Sequence, residues 1–198
     1  MKRLVRLGSD GKRRCAWCGD DPLYVAYHDR EWGRPVREDR RLYEKICLEG
    51  FQSGLSWLTI LKKRARFREV FADFDFERVA RFGKRDVERL LKDPGIVRHR
   101  GKIESTLNNA RRARELVEEV GSLRAFFERF RADRPFGGWV PVSAESKALS
   151  KELKRRGWTY VGPTTMYAFL QSVGLVNDHA TGCDFRAPAE RARAKRKR

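Results

Sequence analysis

The chain has 198 residues, of which 40% are hydrophobic and 11% aromatic, enough for one folded domain with a hydrophobic core. Its formal net charge of +18 favours a polyanionic partner, most often nucleic acid, although a habitat or solubility effect on composition is the simpler alternative. No apolar run approaches the ~20 residues that span a bilayer, and the N-terminus lacks the apolar run of a secretory signal. We therefore expect a cytoplasmic protein without a membrane partner, whose four cysteines stay reduced.

The basic charge is concentrated at the two ends of the chain. Residues 1–14 carry a net charge of +5 and residues 186–198 carry +6, which leaves +7 for the rest. We predict flexible basic arms over residues 1–13 and 187–198, and a folded domain over residues 14–186. The C-terminal arm could instead continue as a helix on DNA.

The first part of the domain has the spacing of amphipathic helices. The segment "DRRLYEKICLEG" places Leu42, Ile46 and Glu49 at intervals of four and three residues, with Gly50 as a stop signal. The next segment, "SWLTILKKRARFREVFADF", repeats its apolar residues in the same rhythm. Two helices, within residues 39–50 and 56–74, follow from this pattern.

Capping residues mark the later helices. Asp75 can cap "FERVARF", and Asp86 stands at the start of "VERLLKD". The long amphipathic segment "KIESTLNNARRARELVEEVG" ends at Gly121, after which Ser122 and Ser143 can cap two more helices. The segment "TTMYAFLQSVG" is apolar on most sides and reads as a buried helix. Since no stretch alternates with period two, we predict an all-α fold.

Cysteines and histidines at both ends of the domain suggest a tetrahedral zinc site. His179 and Cys183 are four residues apart, which suits two ligands on one turn, and Cys15 and His28 could supply the other two. A rival set replaces His28 with Cys18, because Cys15 and Cys18 have zinc-knuckle spacing. Ordinary core or surface histidines are the simpler alternative. Four protein ligands leave no position for a reactive water, so the predicted role of the single zinc ion is structural.

A basic turn between two helical segments suggests a phosphate contact. The segment "LLKDPGIVRHRGKI" has a Pro-Gly turn, a basic loop and a helix start, which together can offer backbone N–H groups to phosphate. Arg98, His99, Arg100 and Lys102 would add positive charge. A plain interhelical turn with solvated basic residues is the alternative.

These motifs together resemble the bacterial DNA-3-methyladenine glycosylase I family. The resemblance is carried by "DPLYVAYHDREWG", "ICLEGFQSGLSWLTILKKR", "GIVRHRGKI" and "VGPTTMYAFLQSVGLVNDH", and it covers nearly all of the folded part. It implies an all-α fold of the helix-hairpin-helix glycosylase superfamily, with two helical lobes and a zinc site that joins the terminal segments. By motif position the zinc ligands are Cys15, His28, His179 and Cys183, with His28 rather than Cys18.

The resemblance also implies a base pocket. It assigns Glu49 to the edge of an extruded base, as the catalytic and recognition acid, and Trp57 to the face of that base. Without the resemblance, a half-exposed acid at a helix end and a core indole are the simpler interpretations of these two residues. The remaining base-binding residues implied are Tyr27, Tyr24, Trp17 and Trp32.

The implied activity is hydrolysis of the N-glycosidic bond of N3-alkylated adenine in double-stranded DNA, by a monomeric enzyme without lyase activity. Leu55 is a candidate wedge for the gap left by the flipped nucleotide, and Gln52 is expected to line the DNA face. Two alternatives stay open, a lyase that uses Lys102 and an architectural DNA binder without catalysis. An RNA-modifying enzyme has only the charge in its favour. Trp139 has no predicted role.

Overall fold

The structure, a computed structural model, describes residues 4–195. It begins with two short strands, β1 and β2, at Val5–Leu7 and Arg13–Cys15. Ten α-helices follow within the described residues: α1 Pro22–Arg30, α2 Asp39–Gln52, α3 Trp57–Val70, α4 Phe76–Val79, α5 Lys84–Leu91, α6 Arg100–Val120, α7 Leu123–Phe127, α8 Ala144–Arg155, α9 Pro163–Ser172 and α10 Arg186–Ala194. The predicted all-α fold is confirmed, with one strand pair added at its edge.

The two strands form an antiparallel hairpin that pairs Val5 with Cys15. Arg14 is buried behind it and binds two carboxylates, with its Nη2 atom 2.7 Å from Asp10 Oδ2 and 2.8 Å from Asp29 Oδ2. The net charge of a segment, on which the predicted arm is based, does not show whether its charged residues form ion pairs inside the fold. The predicted N-terminal arm, residues 1–13, therefore contains most of a hairpin, while residues 1–3 lie outside the described part.

The C-terminal segment is also ordered by a buried arginine. Arg193 lies inside the fold, where its guanidinium donates to the backbone oxygens of Gly174, Ala132 and Leu175 at 2.8–3.1 Å. A guanidinium can be buried when its N–H groups are satisfied in this way. The structure thus has the packed helix α10 where a flexible tail over residues 187–198 is predicted. Residues 196–198 lie outside the described part.

Helix α2 lies at the centre of the fold, where it contacts α3, α6, α7 and α9. Three predicted caps are confirmed, since Asp75, Ser122 and Ser143 each accept a backbone N–H at a helix start. Asp86 is not an N-cap, because α5 begins at Lys84 and Asp86 accepts the backbone N–H of Gly83 from the third position of the helix. The predicted stop at Gly50 is wrong, because α2 continues to Gln52. A Cβ atom at Gly50, inside the helix, would lie 3.4 Å from Tyr160 Cβ, which is an ordinary contact distance.

Two hydrophobic clusters hold the described residues together. The larger one runs through α2 to α9 and includes the stacked rings of Phe67, Phe71 and Phe74. The smaller one joins the N-terminal and C-terminal segments through Cys15, Tyr27, Trp32, Leu61, Ala180 and Cys183. No helix in the described part of the chain is long and apolar enough to cross a membrane.

Candidate active site

An open cavity of about 350 Å³ lies between α1, α2, α3 and α9. Its walls are mainly aromatic, as expected for a site that receives a flat apolar ligand. All of the predicted base-binding residues line this cavity: Trp17, Tyr24, Tyr27, Trp32, Glu49 and Trp57. The fold thus brings together residues that are up to 40 positions apart in sequence, from α1, α2 and α3 and from the two segments that flank α1.

Glu49 is the buried acid of this cavity. Glu49 lies on the C-terminal half of α2 and is only 3% exposed. Burial raises the pKa of Glu49 to about 7, while the charge of Lys45 and a hydrogen bond with Ser172 act in the opposite direction. A carboxyl group in this state takes up or releases its proton near neutral pH, which is the range expected for a functional acid.

Lys45 is a second buried charge, one helical turn before Glu49. Its Nζ atom lies 3.4 Å from Glu31 Oε2 and 4.7 Å from the centre of the Tyr27 ring. Arg64 binds the same Glu31 carboxylate at 2.6 Å. Burial lowers the pKa of Lys45, and Glu31 opposes that shift. The sequence does not predict the contacts of Lys45 and Arg64 with Glu31. It indicates only that Lys45 and Glu49 lie on one helix face, because they are four residues apart.

The aromatic wall is a continuous set of ring contacts. The ring centres of Trp17 and Trp32 are 4.9 Å apart, those of Trp17 and Tyr24 are 5.1 Å apart, and those of Tyr27 and Trp57 are 5.3 Å apart. Trp57 is the first residue of α3, after the N-cap Ser56. Its buried indole N–H has no hydrogen-bond partner among the described residues. The wall therefore offers both electron-rich ring faces and one available donor.

Two further residues of the cavity lack a role in the sequence-based prediction. Trp139 lies in the irregular segment between α7 and α8, and its Nε1 atom donates to the backbone oxygen of Asp178 at 3.1 Å. Gln171 lies on α9, and its Nε2 atom donates to Asp178 Oδ2 at 2.8 Å. Only tertiary packing brings these residues to the cavity, so no local sequence pattern indicates them.

A buried cluster of two cysteines and two histidines lies beside the cavity. The ligand atoms of Cys15, His28, His179 and Cys183 all lie within 4.8 Å of one another. Cys183 Sγ is 3.6 Å from both His28 Nε2 and His179 Nδ1, and Cys15 Sγ is 3.8 Å from His179 Nδ1. Zinc–sulfur and zinc–nitrogen bonds at tetrahedral angles place these atoms ~3.5 Å apart. The cluster therefore fits a tetrahedral metal ion, and Cys18 lies outside it.

Outer contacts set the orientation of both histidine rings. Asp29 Oδ1 lies 2.8 Å from His28 Nδ1, and the backbone oxygen of Trp32 lies 3.1 Å from His179 Nε2. Each acceptor takes the N–H of one ring nitrogen and leaves the other nitrogen for a metal. Hydrogen bonds from Cys15, His179 and His28 hold the pKa of the Cys183 thiol well below its usual range, while the same contact with Cys183 raises the pKa of the Cys15 thiol. A thiolate is the form that binds metal.

The loop after α2 projects an apolar side chain next to the cavity. Leu55 is 40% exposed and follows Gly54, whose φ of +79° belongs to the left-handed region that favours glycine. Gln52 lines the cavity, and its Nε2 atom donates to the backbone oxygen of Leu55 at 2.9 Å. Gln52, the residue predicted to line the DNA face, thus holds the backbone of Leu55, the predicted wedge.

The four residues predicted to contact phosphate lie in and just after the turn between α5 and α6, and they differ in their exposure. Arg98, His99 and Arg100 are exposed, and Arg100 pairs with Glu88 at 2.8 Å. His99 Nδ1 also caps α6 by accepting the backbone N–H of Lys102 at 3.3 Å. Lys102 is different, because it is only 7% exposed.

Lys102 therefore does not lie on the surface predicted for DNA contact. Its Nζ atom donates to the backbone oxygens of Phe51 at 2.9 Å and Ser53 at 2.5 Å. These are carbonyl groups at the C-terminal end of α2, where a cation complements the helix dipole. The inward direction of this side chain corrects the predicted phosphate contact and leaves the amine unsuited to Schiff-base chemistry.

Comparisons with known proteins agree on one family. A sequence model of the family described as "Methyladenine glycosylase" matches residues 17–187. DNA-3-methyladenine glycosylase 1 of Escherichia coli (strain K12) is 47% identical over 177 residues, with 86% of this chain and 95% of the relative covered. DNA-3-methyladenine glycosylase of Haemophilus influenzae is 43% identical over 178 residues, with 86% and 96% covered.

A solved structure gives the same result. The crystal structure of a 3-methyladenine DNA glycosylase I variant in complex with 3-methyladenine superimposes with a TM-score of 0.84 at 34% identity, covering 87% of this chain and 97% of that chain. The helical arrangement described above is therefore shared with a protein that binds this base.

Proposed function

The chain belongs to the methyladenine glycosylase family, and from this membership we propose that it releases 3-methyladenine from alkylated DNA. The reaction hydrolyses the N-glycosidic bond and yields the free base and an abasic site, as the first step of base-excision repair. The observation that carries the proposal is a buried acid, Glu49, in a cavity walled by aromatic rings. We place the substrate in double-stranded DNA and expect the protein to act as a monomer.

The aromatic wall is suited to hold an extruded base. Enzymes that act on a base within a duplex flip it into a pocket and lose its stacking energy. An aromatic face restores ~1–3 kcal/mol of that loss. We assign the stacking face to Trp57 and the adjacent wall to Tyr27, whose rings are 5.3 Å apart. An N3-alkylated adenine in DNA is cationic, so these electron-rich faces also attract it by a cation–π interaction.

Glu49 supplies the polar contact to the edge of the base. Its carboxylate can accept a hydrogen bond from the exocyclic amino group and can compensate the positive charge of the base. With a pKa of about 7, Glu49 changes its ionisation near neutral pH before the base enters. A cationic base favours the ionised form, so binding of the substrate and ionisation of Glu49 support each other.

The chemistry needs little acid catalysis, because alkylation at N3 already makes adenine a good leaving group. The remaining task is to extrude the base, hold it and exclude bulk water until the glycosidic bond breaks. The developing sugar cation lies near the pocket, where an ionised Glu49 gives electrostatic help as a second role. A water molecule then adds to the sugar.

We assign the DNA contacts to the loop after α2 and to the basic turn. Leu55 would fill the gap in the stack, with Gln52 beside it at the pocket rim. Arg98, His99 and Arg100 would face the phosphates and position the duplex without reading its sequence. The exposure of Leu55 and of the three basic residues supports this assignment.

We propose zinc as the metal of the cysteine and histidine cluster. Two thiols and two imidazoles are a donor set that zinc prefers, and four protein ligands leave no open position for a reactive water. The ion would therefore be structural. It would hold β2 and α1 against the segment between α9 and α10. The first and last segments of the domain predicted over residues 14–186 would then be joined by the ion.

The alternative of a non-catalytic DNA binder has less support. Such a protein needs basic residues and a fold, but it has no use for a buried carboxyl group in an aromatic cavity. Burying a carboxyl group costs stability unless it is fully paired, and this cost is understandable only if the site has a function.

The test is base release from methylated duplex DNA, with chromatography to identify the freed base. The unmodified protein is expected to release 3-methyladenine and little 7-methylguanine, and Glu49→Ala is expected to lose the release. A matched control is Glu115→Ala, which removes an exposed carboxylate on α6 that pairs with Arg112. Intact DNA binding and metal content without any release by the unmodified protein would favour the non-catalytic binder.

A further inference from the structure

A buried carboxylate gathers hydrogen-bond donors at one side of the base pocket. Asp178 is 2% exposed, and its Oδ2 atom accepts from Gln171 Nε2 at 2.8 Å and from the Tyr167 hydroxyl. Arg134 donates to the same hydroxyl oxygen at 3.1 Å. Because a guanidinium can only donate, Tyr167 accepts from Arg134 and gives its own hydrogen to Asp178.

This set of donors determines which way the amide of Gln171 points. The oxygen and nitrogen of a side-chain amide are distinguished by their hydrogen-bond partners. Asp178 Oδ2 already accepts the hydroxyl hydrogen of Tyr167, and the structure places the amino group of Gln171, not its oxygen, 2.8 Å from the same acceptor atom. The amide oxygen Oε1 then points away from Asp178, on a side chain that lines the base pocket.

We infer that Gln171 is a specificity-determining residue for the base, and that Asp178 is the positioning residue that turns the Gln171 amide oxygen toward the pocket. The inference rests on the proposed function, since it names a second group that selects the same base. Asp178 also accepts the indole N–H of Trp139 on its backbone oxygen at 3.1 Å. One residue thus positions two members of the pocket wall.

The consequence is a pocket with hydrogen-bond acceptors on two elements. Glu49 on α2 and Gln171 on α9 both present oxygen atoms to the ligand. Such a pocket suits an N3-alkylated purine that carries an exocyclic amino group. It disfavours a purine with a carbonyl in that place, because two acceptors would face each other without a hydrogen, and unpaired buried polar groups are costly.

The experiment compares two free bases, 3-methyladenine and 3-methylhypoxanthine, in which a carbonyl replaces the amino group. Binding to the metal-loaded protein is followed by tryptophan fluorescence. For Gln171→Leu, the affinity for 3-methyladenine is expected to fall roughly tenfold and the affinity for 3-methylhypoxanthine less than twofold. The preference between the two bases should therefore fall by nearly the same factor.

Asp178→Asn tests the positioning role separately. The new amide can donate to Gln171 Oε1, so that the Gln171 amide can turn and present its amino group to the pocket. Preference for 3-methyladenine is then expected to fall at least as far as in Gln171→Leu. A matched control is Asp75→Asn, which keeps a capping residue at the start of α4 and leaves the preference unchanged.

A spectroscopic measurement checks the orientation directly. The chain contains two glutamines, so the side-chain amide of Gln171 can be assigned by its loss in Gln171→Leu. Slow hydrogen exchange of this amide is expected in the unmodified protein, and fast exchange in Asp178→Asn. Equal loss of affinity for both bases in Gln171→Leu, or no loss for either, would overturn the inference.

The release assay separates this inference from the proposed function. An unmodified protein that releases no base from methylated DNA contradicts the proposed function itself. An unmodified protein that releases 3-methyladenine, together with a Gln171→Leu variant of unchanged preference, contradicts only the role of Gln171.

Discussion

The base pocket and the metal cluster are neighbours with opposite physical characters. They share a wall, since Trp32 lines the pocket while its backbone oxygen orients His179, and Tyr27 precedes the cluster residue His28. The pocket is open, about 350 Å³ in volume, and holds a carboxyl group whose pKa burial raises to about 7. The cluster is closed, and its four ligand atoms face one another.

This difference shows how one small lobe can combine stability with function. Groups arranged for a ligand are left partly unsatisfied until the ligand arrives, and they lower the stability of the folded chain. A closed metal site has the opposite effect, because binding energy of the ion adds to the folding energy. We expect the cluster to compensate for what the pocket costs.

Loss of a metal ligand should have the greatest effect. His179→Ala is expected to lower the free energy of unfolding by ~5 kcal/mol or more and to abolish metal binding, because three remaining ligands cannot close the site. Denaturant unfolding and metal quantification on the purified protein measure both effects. A variant that loses the metal yet unfolds at the same denaturant concentration would show that the cluster does not stabilise the fold.

Replacement of the pocket acid should separate activity from stability. In Glu49→Gln we expect base release to fall about 100-fold or more, since the compensating charge is lost. In the unmodified protein, burial raises the pKa of Glu49 from 4.5 to about 7. The folded chain therefore loses stability as pH rises between those values, by ~3 kcal/mol in total. Glu49→Gln should recover much of that amount at pH 8 and little at pH 4.

Glu44 on the same helix gives the matched control for this result. It is equally buried, but Arg41 and Arg68 bind its carboxylate at 2.6 and 2.8 Å. Glu44→Gln breaks a paired charge and should destabilise the protein at pH 8. If thermal unfolding shows that both glutamine variants lose stability, then the pocket acid does not carry the expected cost.

The pH profile of base release should report the same carboxyl group. Below pH 7, kcat/KM is expected to fall about tenfold per pH unit, because the proton on Glu49 removes the charge that attracts the cationic base. For kcat, the fall should occur at lower pH, because the bound cation favours the carboxylate. The residual release by Glu49→Gln should not change with pH over the same range. If release by this variant still falls below pH 7, the titration belongs to another group.

Replacement of Cys18, which lies near the cluster, should have the smallest effect. Its thiol lies outside the four-ligand set and contacts the backbone oxygen of Gly19 at 3.7 Å. Cys18→Ala should leave metal content unchanged and cost about 1 kcal/mol, as expected for a small buried side chain. Loss of the metal in this variant would return Cys18 to the ligand set.

The sequence predicts those features that depend on local pattern or on long motifs. Helix starts at Asp75, Ser122 and Ser143 follow from side-chain capping chemistry, which acts within three residues. The spacing of cysteines and histidines narrows the metal ligands to two sets, and the family resemblance favours the one that the structure brings together.

What the sequence does not reveal depends on contacts between distant segments. Lys102 reads as one more basic residue of a turn, yet its ammonium group binds the carbonyls of Phe51 in α2 and of Ser53 just after it, which are 51 and 49 positions away. Gln171 reaches the pocket because α9 packs against α2, and Trp139 lines it from the segment before α8, where its indole binds the backbone oxygen of Asp178. Burial of Arg193 is likewise decided by carbonyls from two other segments.

The joined ends of the domain have a topological consequence. Besides the cluster, Arg13 and Asp184 exchange backbone and side-chain hydrogen bonds at 2.7–3.1 Å, so β2 and the segment before α10 lie side by side. With a metal ion bound at the cluster, the chain between them would in effect be a ring, closed by coordination bonds rather than by a peptide bond. A covalent linker across this junction would add little strain, and new termini could be opened at an exposed turn that does not line the pocket, such as the one at Gly121. Under mechanical load, tension applied to the ends would reach the metal first and the helical core only after the ring opens.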